Sequence, residues 1–372
     1  MIRHLLVLLF PALAMLAGCA KPIERLKQKA EEGDAPSQWM LGVKYSMGDG
    51  VPKDPVKAAE WMEKSATKSH PRVQNTLGWM YENGLGVPKS LEEAAKWYRQ
   101  SAEQGHAPAQ NNIGACYSKG KGVPKNPNEA ARWYQRAAEK KHAPALFNLG
   151  ACYANGEGVP KDAAKAARLY REAAEFGNPQ AQFNLGKSLA SGDGVARDLE
   201  EAVSWYRKSA DKGLPEAQLA LGGSYLLGEG VAKDANEAVK WFKSAAEAGL
   251  PDAQNNLGVL HSRGEGVARD PVEAVRWFTK AADQGHGAAQ HALGMSYATG
   301  QGVAKDFTRA YVWLKIAWQT GGNGRIEDIH ELERLMRTEE RSVADRLILE
   351  KIQDIENHKK KRDLSLKVAT AR

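Results

Sequence analysis

Residues 105–140 read GHAPAQNNIGACYSKGKGVPKNPNEAARWYQRAAEK, and this stretch decides the fold because its pattern returns every 36 residues. Small and apolar side chains fall at helical spacing in its first part, at Ala109, Ile113 and Tyr117, and again in its last part. Between the two parts, Gly120–Pro124 breaks the helix, because glycine is flexible and proline lacks an amide hydrogen. One unit is therefore predicted to be a helix, a turn and a second helix.

A glycine inside the first helix marks the period without a slip in spacing. Its copies are Gly42, Gly78, Gly114, Gly150, Gly186, Gly222, Gly258 and Gly294. A tryptophan in the second helix keeps the same step from Trp61 to Trp313, with Leu169 in the one missing place. A strict period of about 20–50 residues is typical of repeat arrays. The sequence predicts an all-α solenoid over residues 33–322, and the default function of its extended surface is binding.

Two recurring small residues predict close packing and defined helix ends. A glycine within a helix costs about 1 kcal/mol relative to alanine. Its regular return therefore predicts that two helices cross there too closely for a Cβ. A second glycine, such as Gly105 or Gly177, is predicted to end the second helix in the left-handed conformation. Ser69 and Lys141 replace that glycine in two repeats.

The unit A-x-x-x-L-G-x-x-Y-x-x-G-x-G-V-x-x-D-x-x-x-A-x-x-W-x-x-x-A-A-x-x-G resembles the Sel-one-like repeat, a relative of the tetratricopeptide repeat. The resemblance covers residues 33–322 in eight copies, with Leu169 in place of tryptophan and Leu189 and His261 in place of tyrosine. It implies a right-handed α-solenoid that acts as an adaptor or scaffold in macromolecular complexes, and not an enzyme. It does not imply one particular partner.

The N-terminal residues predict export and a lipid anchor. The apolar run Leu5–Leu16 follows Arg3 and His4, is too short to span a bilayer, and is typical of a signal-peptide core. It leads into Leu16-Ala17-Gly18-Cys19, which resembles a bacterial lipobox with Cys19 as the lipidated residue. An ordinary signal peptide with an incidental cysteine is the alternative.

The same resemblance predicts where the chain resides. Ala20, rather than aspartate, implies the outer membrane of a diderm bacterium. We expect a signal peptide over 1–18, a lipidated tether with a short lead-in helix over 19–32, and a repeat region that faces the periplasm. Cys116 and Cys152 stand at the same place in adjacent repeats, on the order of 10 Å apart, whereas a disulfide needs Cα atoms within about 7 Å. Free thiols are favoured over a bridge.

The C-terminal residues depart from the repeat. The 36-residue pattern ends, and two apolar stripes at helical spacing predict a pair of capping helices over 323–358. A dimerising or partner-docking helix is the alternative. Residues 359–372 are strongly basic and predict a disordered tail that can contact an anionic surface. Its first cations are Lys359, Lys360, Lys361 and Arg362. Nucleic acid is not an expected partner of a periplasmic protein.

The motifs that resemble catalytic or metal sites are better explained by the repeat. Ser65-x-x-Lys68 matches the nucleophile motif of penicillin-recognising enzymes but lacks its S-D-N and K-T-G companions. Ser65 also occupies a small-residue position that is predicted to pack. Histidines such as His70 and His106 are 36 residues apart, on the order of 10 Å in a stack, and cannot share a metal with bonds of about 2 Å. We predict no catalytic residue, no cofactor and no metal.

The candidate binding face lies on the first helices. Positions three before and one after the helix glycine are four apart, so they share a face of the helix, and they vary from repeat to repeat. In related solenoids the first helices line the concave side, and exposed aromatics are typical interface anchors. Packing within the repeat is the alternative for each residue. The candidates are Trp39, Asn75, Trp79, Asn111, Phe147, Phe183, Lys187, Asn255 and His291.

Three functions follow from these patterns. The first is a membrane-anchored periplasmic scaffold that binds a protein or peptide within an envelope-associated complex. The second is a β-lactamase-like or peptidoglycan-related envelope hydrolase. The third is a module that binds peptidoglycan or another polysaccharide. The sequence favours the first, because a repeat array supplies surface and shape and no complete catalytic motif is present.

Overall fold

The computed structural model describes residues 22–67, 70–321 and 325–369, and all regular structure within these ranges is helical. The predicted signal peptide and Cys19 lie outside the described residues. The chain divides into two compact units, of which one ends at Asn178 and the other begins at Pro179. Each unit is described by itself.

The first unit begins with helix α1 over 22–31 and continues as helical hairpins of one period each. Its further helices are α2 Ala35–Met47, α3 Pro55–Ala66, α4 Pro71–Asn83, α5 Leu91–Glu103, α6 Ala107–Lys119, α7 Pro127–Ala138, α8 Ala143–Asn155 and α9 Ala163–Glu175. Even-numbered helices are the predicted first helices of the repeats and odd-numbered ones the second. The predicted all-α repeat architecture is confirmed.

The second unit repeats the same hairpin and ends in two helices outside the period. Its helices are α10 Pro179–Ser191, α11 Leu199–Ala210, α12 Pro215–Leu227, α13 Ala235–Glu247, α14 Pro251–Arg263, α15 Pro271–Asp283, α16 Gly287–Thr299, α17 Phe307–Gln319, α18 Ile326–Leu335 and α19 Thr338–Ala369. Caps fix the hairpin boundaries, as at Asp270, whose carboxylate accepts from the amides of Val272 and Glu273 at the start of α15.

The predicted close crossing of the two helices is confirmed. A Cβ on Gly78 would lie 2.7 Å from Tyr98 Cδ1 and 3.1 Å from the carbonyl oxygen of Ala94. The large side chain that fills the crossing stands one residue after the tryptophan position, a role that sequence reasoning missed. Its copies are Met62, Tyr98, Tyr134, Tyr170, Tyr206, Phe242, Phe278 and Leu314.

Buried polar side chains tie adjacent helices together. Ser65 Oγ donates to the carbonyl oxygen of Ala35 at 2.8 Å, so its hydroxyl is engaged in packing α3 against α2, as its repeat position predicts. A buried glutamine four residues before the helix glycine reaches back to the last turn of the preceding second helix. Gln110 Nε2, for example, donates to the carbonyl oxygen of Ala102 at 3.1 Å. This glutamine series was not singled out from the sequence.

The two cysteines inside the first unit are free and buried, in agreement with the favoured prediction. Burial disfavours the charged thiolate, and it raises the pKa of Cys116 to about 12 and that of Cys152 to about 11. Both side chains therefore pack as small apolar groups, and neither has the lowered pKa of a reactive thiol.

The C-terminal helices pack on the last repeat of the second unit. Ile329 of α18 and Ile348 of α19 belong to one buried cluster with Trp313 of α17. Helix α19 continues to Ala369, which differs from the disordered tail that the sequence predicts from residue 359. Lysine and arginine have high helix propensity, and cations are favourable near a helix C-terminus, so the basic composition extends the helix.

Candidate binding face

Trp39 and Trp79 are the tryptophans of the predicted face, and they differ in exposure. The indole of Trp39 is half-buried and stacks on the His70 ring, with centroids 6.4 Å apart and planes 9° apart. Trp79 is 44% exposed. The same position in the adjacent repeats is held by the smaller Val43 and Ala115. Trp79 therefore presents a larger apolar surface for contact than Trp39 does.

The asparagines of the first unit form bonds between repeats. Asn112 Nδ2 donates to Asn75 Oδ1 at 3.0 Å, and Asn148 Nδ2 donates to Asn111 Oδ1 at 2.8 Å. Both bonds join residues 37 apart, so an amide of one repeat meets the adjacent amide of the next. Asn75 and Asn111 are half-buried, and part of their hydrogen-bonding capacity is used within the fold.

The two phenylalanines pack on the rings that fill the helix crossing. Phe147 lies 5.9 Å from Tyr170 in the first unit, and Phe183 lies 5.8 Å from Tyr206 in the second. Both are half-buried. The Lys187 ammonium lies 5.7 Å from the Phe183 ring centroid and keeps its exposed position. Packing within the repeat accounts for much of the surface of both phenylalanines.

His291 and Asn255 complete the candidate set in the second unit, and both are half-buried. His291 Nε2 lies 3.4 Å from Asp328 Oδ2 on α18, again a step of 37 residues. The structure thus places the predicted residues on the first helices as expected and shows that several contact their neighbours. Their role in contacting a partner stays a prediction.

The histidines at the starts of the first helices form a separate row in the first unit. Burial lowers the pKa of His142, and burial together with Arg72 and the other histidines lowers the pKa of His106. Within the described ranges, no three His, Cys, Asp or Glu side chains are arranged to hold a metal ion. Nor does any helix of those ranges have the length and hydropathy needed to cross a membrane.

These features place the chain in the class of helical-repeat proteins, with a solenoid-type fold built from short helical hairpins. The comparisons agree. The Sel1 repeat family matches residues 35–70, 71–106, 107–142, 143–178, 179–214, 215–250, 251–286 and 287–317. The chain belongs to the Sel1 repeat family, whose solenoids are of the protein-interaction scaffold type.

Several solved structures are similar to this chain. A Sel1 repeat protein from Oxalobacter formigenes is 32% identical, with a TM-score of 0.62, over 86% of this chain and 93% of that one. The protective antigen c5321 of uropathogenic Escherichia coli, which displays an SLR fold, is 30% identical with a TM-score of 0.49, over 92% and 89% of the two chains. Immunity protein Pa5087 from Pseudomonas aeruginosa is 22% identical with a TM-score of 0.37, over 59% and 83%. No curated protein matches the chain.

Proposed function

We propose that this chain is a lipid-anchored scaffold of the outer membrane that faces the periplasm and holds a protein partner on its first helices. The observation that carries the proposal is Trp79, a large aromatic side chain that stays 44% exposed on a face whose residues vary between repeats. Exposed aromatics of this kind are common binding anchors, because they bury a large apolar area with little loss of side-chain freedom.

The two alternative functions find less support in the described residues. The Ser65 hydroxyl donates to a backbone carbonyl and is buried, which is unfavourable for a nucleophile that must reach a substrate. Of the three candidate-face asparagines that could bond to sugar hydroxyls, Asn75 and Asn111 already accept bonds from neighbouring asparagines, and Asn255 is the third. Binding of the purified protein to isolated sacculi would favour the polysaccharide function, and nitrocefin turnover that a Ser65 change abolishes would favour the hydrolase.

The proposal is tested with two matched tryptophans. Trp79→Ala removes the anchor, and Trp318→Ala removes an indole of similar exposure, 46%, at the end of the second helix α17. We expect crosslinking in intact cells to capture a partner with the wild-type chain and with Trp318→Ala, and to lose it with Trp79→Ala, at equal melting temperatures. Capture that is the same for both folded variants would contradict a binding role for Trp79.

The anchor is tested separately, because Cys19 lies outside the described residues. Lipidation of one cysteine with several acyl chains gives stable membrane attachment, whereas a single chain gives marginal binding. Cys19→Ala should therefore move the protein from the outer-membrane fraction to the soluble periplasm. A variant that remains in the membrane fraction would remove the lipobox from the proposal and leave the scaffold function intact.

A further inference from the structure

The turns that join the two helices of each repeat form an edge of the first unit, which we call the turn edge. It comprises the last turn of each first helix, the Gly-x-Gly loop and the first turn of each second helix. A Cβ on Gly86 would collide with the carbonyl oxygen of Pro55, and a Cβ on Gly122 with that of Leu91. Each turn therefore packs on the start of the preceding second helix, and neighbouring turns lie side by side.

The predicted lipid anchor belongs to the same edge. Gln38 Nε2 donates to the carbonyl oxygen of Ala30 at 3.0 Å, which is the bond that Gln110 makes to the second helix before it. Helix α1 thus takes the place of a second helix, and its first residue, at position 22, is at the turn edge. Cys19 precedes that position by three residues, which span at most about 11 Å. A lipidated Cys19 would hold this edge close to the bilayer.

Apolar side chains are exposed at the turn edge of the first two repeats. Met47 ends α2 and is 73% exposed, Val56 is 53% exposed in the first turn of α3, and Leu85 is 38% exposed in the next turn. Leu85 precedes Gly86, whose backbone lies against the start of α3, so Leu85 is close to Val56. Exposed apolar groups of this kind mark contact sites for proteins or membranes.

This apolar group occurs once in the chain. At the three matching positions, no other repeat has more than one apolar residue. Leu227, for example, is 67% exposed at the first of these positions, but its companions are Asn236 and Glu265. The acidic Asp49 beside the group is paired with Lys44, whose Nζ lies 2.9 Å from Oδ2. The group is therefore not a by-product of the repeat, and it lies in the repeats nearest to the predicted anchor.

The turn edge becomes basic in the second and third repeats. Six second helices begin after an aspartate cap, but Ser90 and Asn126 are the caps of α5 and α7. The turns 83–90 and 119–126 contain no acidic residue, whereas each matching turn of the other repeats contains at least one. This difference in charge favours an anionic contact at these two turns.

Three lysines of these turns are available for such a contact. Lys89, Lys119 and Lys125 are exposed, and none of them forms an ion pair with the residues that the structure describes. Lys121 is half-buried and its Nζ lies 3.3 Å from Glu82 Oε1, so its charge is used within the fold. A lysine held near an anionic lipid surface strengthens binding by about fivefold.

We propose that the turn edge of the first three repeats lies on the anionic phospholipid surface of the bilayer that holds Cys19. The three apolar side chains enter the headgroup region, and the three exposed lysines lie at the lipid phosphates. Apolar burial and attraction to anionic lipid act together in this kind of binding. The inference rests on the proposed anchor and adds to it a second contact, which orients the first unit on the membrane.

The test measures binding to vesicles by the chain from Ala20 onward, which keeps every described residue and lacks the acylated cysteine. The probes are vesicles of equal parts phosphatidylglycerol and phosphatidylcholine, and vesicles of phosphatidylcholine alone. We expect sedimentation to show at least about tenfold tighter binding to the anionic vesicles, and this preference should fall as salt screens the charges.

Matched lysine pairs separate the turn edge from net charge. Lys119→Gln/Lys125→Gln should weaken binding to the anionic vesicles by at least about tenfold. Lys233→Gln/Lys305→Gln removes the same charge, at the position of Lys125 in two repeats of the second unit, and should change the affinity by less than about twofold. Equal losses in the two pairs would show that net charge alone drives binding, and the proposal would be wrong.

A second pair of variants tests the apolar contact. Met47→Gln should weaken vesicle binding by about fivefold, because less apolar area enters the headgroup region. Leu227→Gln makes a similar change at the matching position of the second unit and should leave the affinity unchanged. Both side chains are exposed, so both variants should melt like the parent chain. The same affinity for both would remove the apolar group from the contact and contradict the proposal.

The basic end of α19 is the competing site within the chain. Lys360→Gln/Lys361→Gln should have a smaller effect than Lys119→Gln/Lys125→Gln, and a larger one would assign lipid binding to α19 instead. If the parent chain does not prefer anionic vesicles, the proposal is wrong. Loss of a crosslinked partner by the variant at 119 and 125, with vesicle binding unchanged, would assign those lysines to an acidic protein. Fractionation of Cys19→Ala tests the anchor independently, so each of these failures leaves the anchor standing.

Discussion

The ring of Tyr134 lies directly against the backbone of Gly114. A Cβ placed on Gly114 would stand 2.8 Å from both Cδ1 and Cε1 of that ring, and 3.3 Å from the carbonyl oxygen of Ala130. Real Cβ atoms essentially never approach other atoms below 3.0 Å. The first and second helix of the repeat are thus held at a separation that glycine alone allows, and the tyrosine ring fills the space that the absent side chain leaves.

Gly114→Ala tests this contact against intrinsic helix propensity. Alanine is favoured over glycine in a helix by about 1 kcal/mol, but overpacking of a filled core costs about 1–3 kcal/mol. We expect a net loss of stability of about 1–2 kcal/mol in urea unfolding. Gly223 is the matched control, because it is also helical and a Cβ there meets no atom within 4 Å. Gly223→Ala should stabilise, and equal effects at both sites would contradict the packing role.

The second glycine of each turn gives a test of contact between repeats. Gly86 has a φ of +75°, and its Cβ would lie 1.9 Å from the carbonyl oxygen of Pro55, at the start of the preceding second helix. Gly50 has a similar φ of +72°, but its Cβ would meet nothing within 4 Å. Gly50→Ala should cost about 1–2 kcal/mol, the strain of a left-handed alanine.

Gly86→Ala carries the same strain and adds a collision with backbone that no side-chain rotation relieves. We expect it to cost at least about 3 kcal/mol and to lower the melting temperature clearly more than Gly50→Ala. Similar melting temperatures for the two variants would show that the turn adjusts and that the glycine serves backbone conformation alone.

The 36-residue repeat made the fold predictable from the sequence. It did not show which side chain contacts the helix glycine, and the recurring glutamine was overlooked. The close crossing at Gly114 followed from a glycine that returns every 36 residues where alanine is intrinsically better. The partner of that glycine was missed because Trp133 and Tyr134 are adjacent, and sequence alone does not say which of two large rings faces the first helix. The glutamine series was overlooked because a polar side chain is ordinarily exposed, although its regular return was visible.

The candidate face was predictable as a helix face and not as a free surface. Spacing of four residues places Asn75 and Trp79 together on α4. Whether each side chain is open depends on the lateral offset between repeats, which brings Asn112 onto Asn75 and leaves Trp79 exposed. That offset is a distance between helices, and no pattern within one repeat contains it.

Lys141 provides a third prediction, at the end of a second helix. Its φ is +58°. Among the described residues, Lys141 is the one residue other than glycine that has a positive φ. Lys141→Gly restores the glycine that most other repeats have at this position and relieves about 1–2 kcal/mol of left-handed backbone strain. Part of this gain is offset because glycine raises the conformational entropy of the unfolded chain. We expect a gain of about 0.5–1 kcal/mol. Glu139→Gly, with φ −56°, should instead destabilise, and a loss in both variants would refute the strain.

A fourth prediction concerns pH. The pKa values of His106 and His142 are lowered in the folded chain, chiefly because burial disfavours the charged ring. The folded state therefore binds fewer protons than the unfolded state near the unperturbed pKa of about 6.5. The stability that these neutral histidines contribute is present above about pH 6.5 and is lost as the pH falls through and below it.

The double variant His106→Leu/His142→Leu isolates that contribution. Leu214 and Leu250 already occupy the same position in later repeats, so leucine fits the site. Urea unfolding of the wild type should show a loss of stability between about pH 7.5 and about pH 5, and the variant should lose less. An identical loss in both proteins would assign the pH dependence to other groups.

The last prediction separates two members of the glutamine series. Gln254 Nε2 donates to the carbonyl oxygen of Ala246 at 3.0 Å, and its Oε1 accepts from Gln284 Nε2 at 2.8 Å, so both ends of the amide are bonded. Gln110 makes the matching bond to Ala102, but among the described residues its buried Oε1 has no hydrogen-bond partner. Leucine is a natural occupant of this position at Leu146.

Gln110→Leu removes one buried bond and also one unpaired buried oxygen, so the two effects oppose each other and stability should change by no more than about 0.5 kcal/mol. Gln254→Leu removes two bonds and leaves groups of Ala246 and Gln284 without that partner, which should cost about 1–3 kcal/mol. Urea unfolding of the two variants measures the difference directly. Equal losses would mean that the unpaired oxygen of Gln110 carries no penalty, and that the series stabilises through the bond to the preceding helix alone.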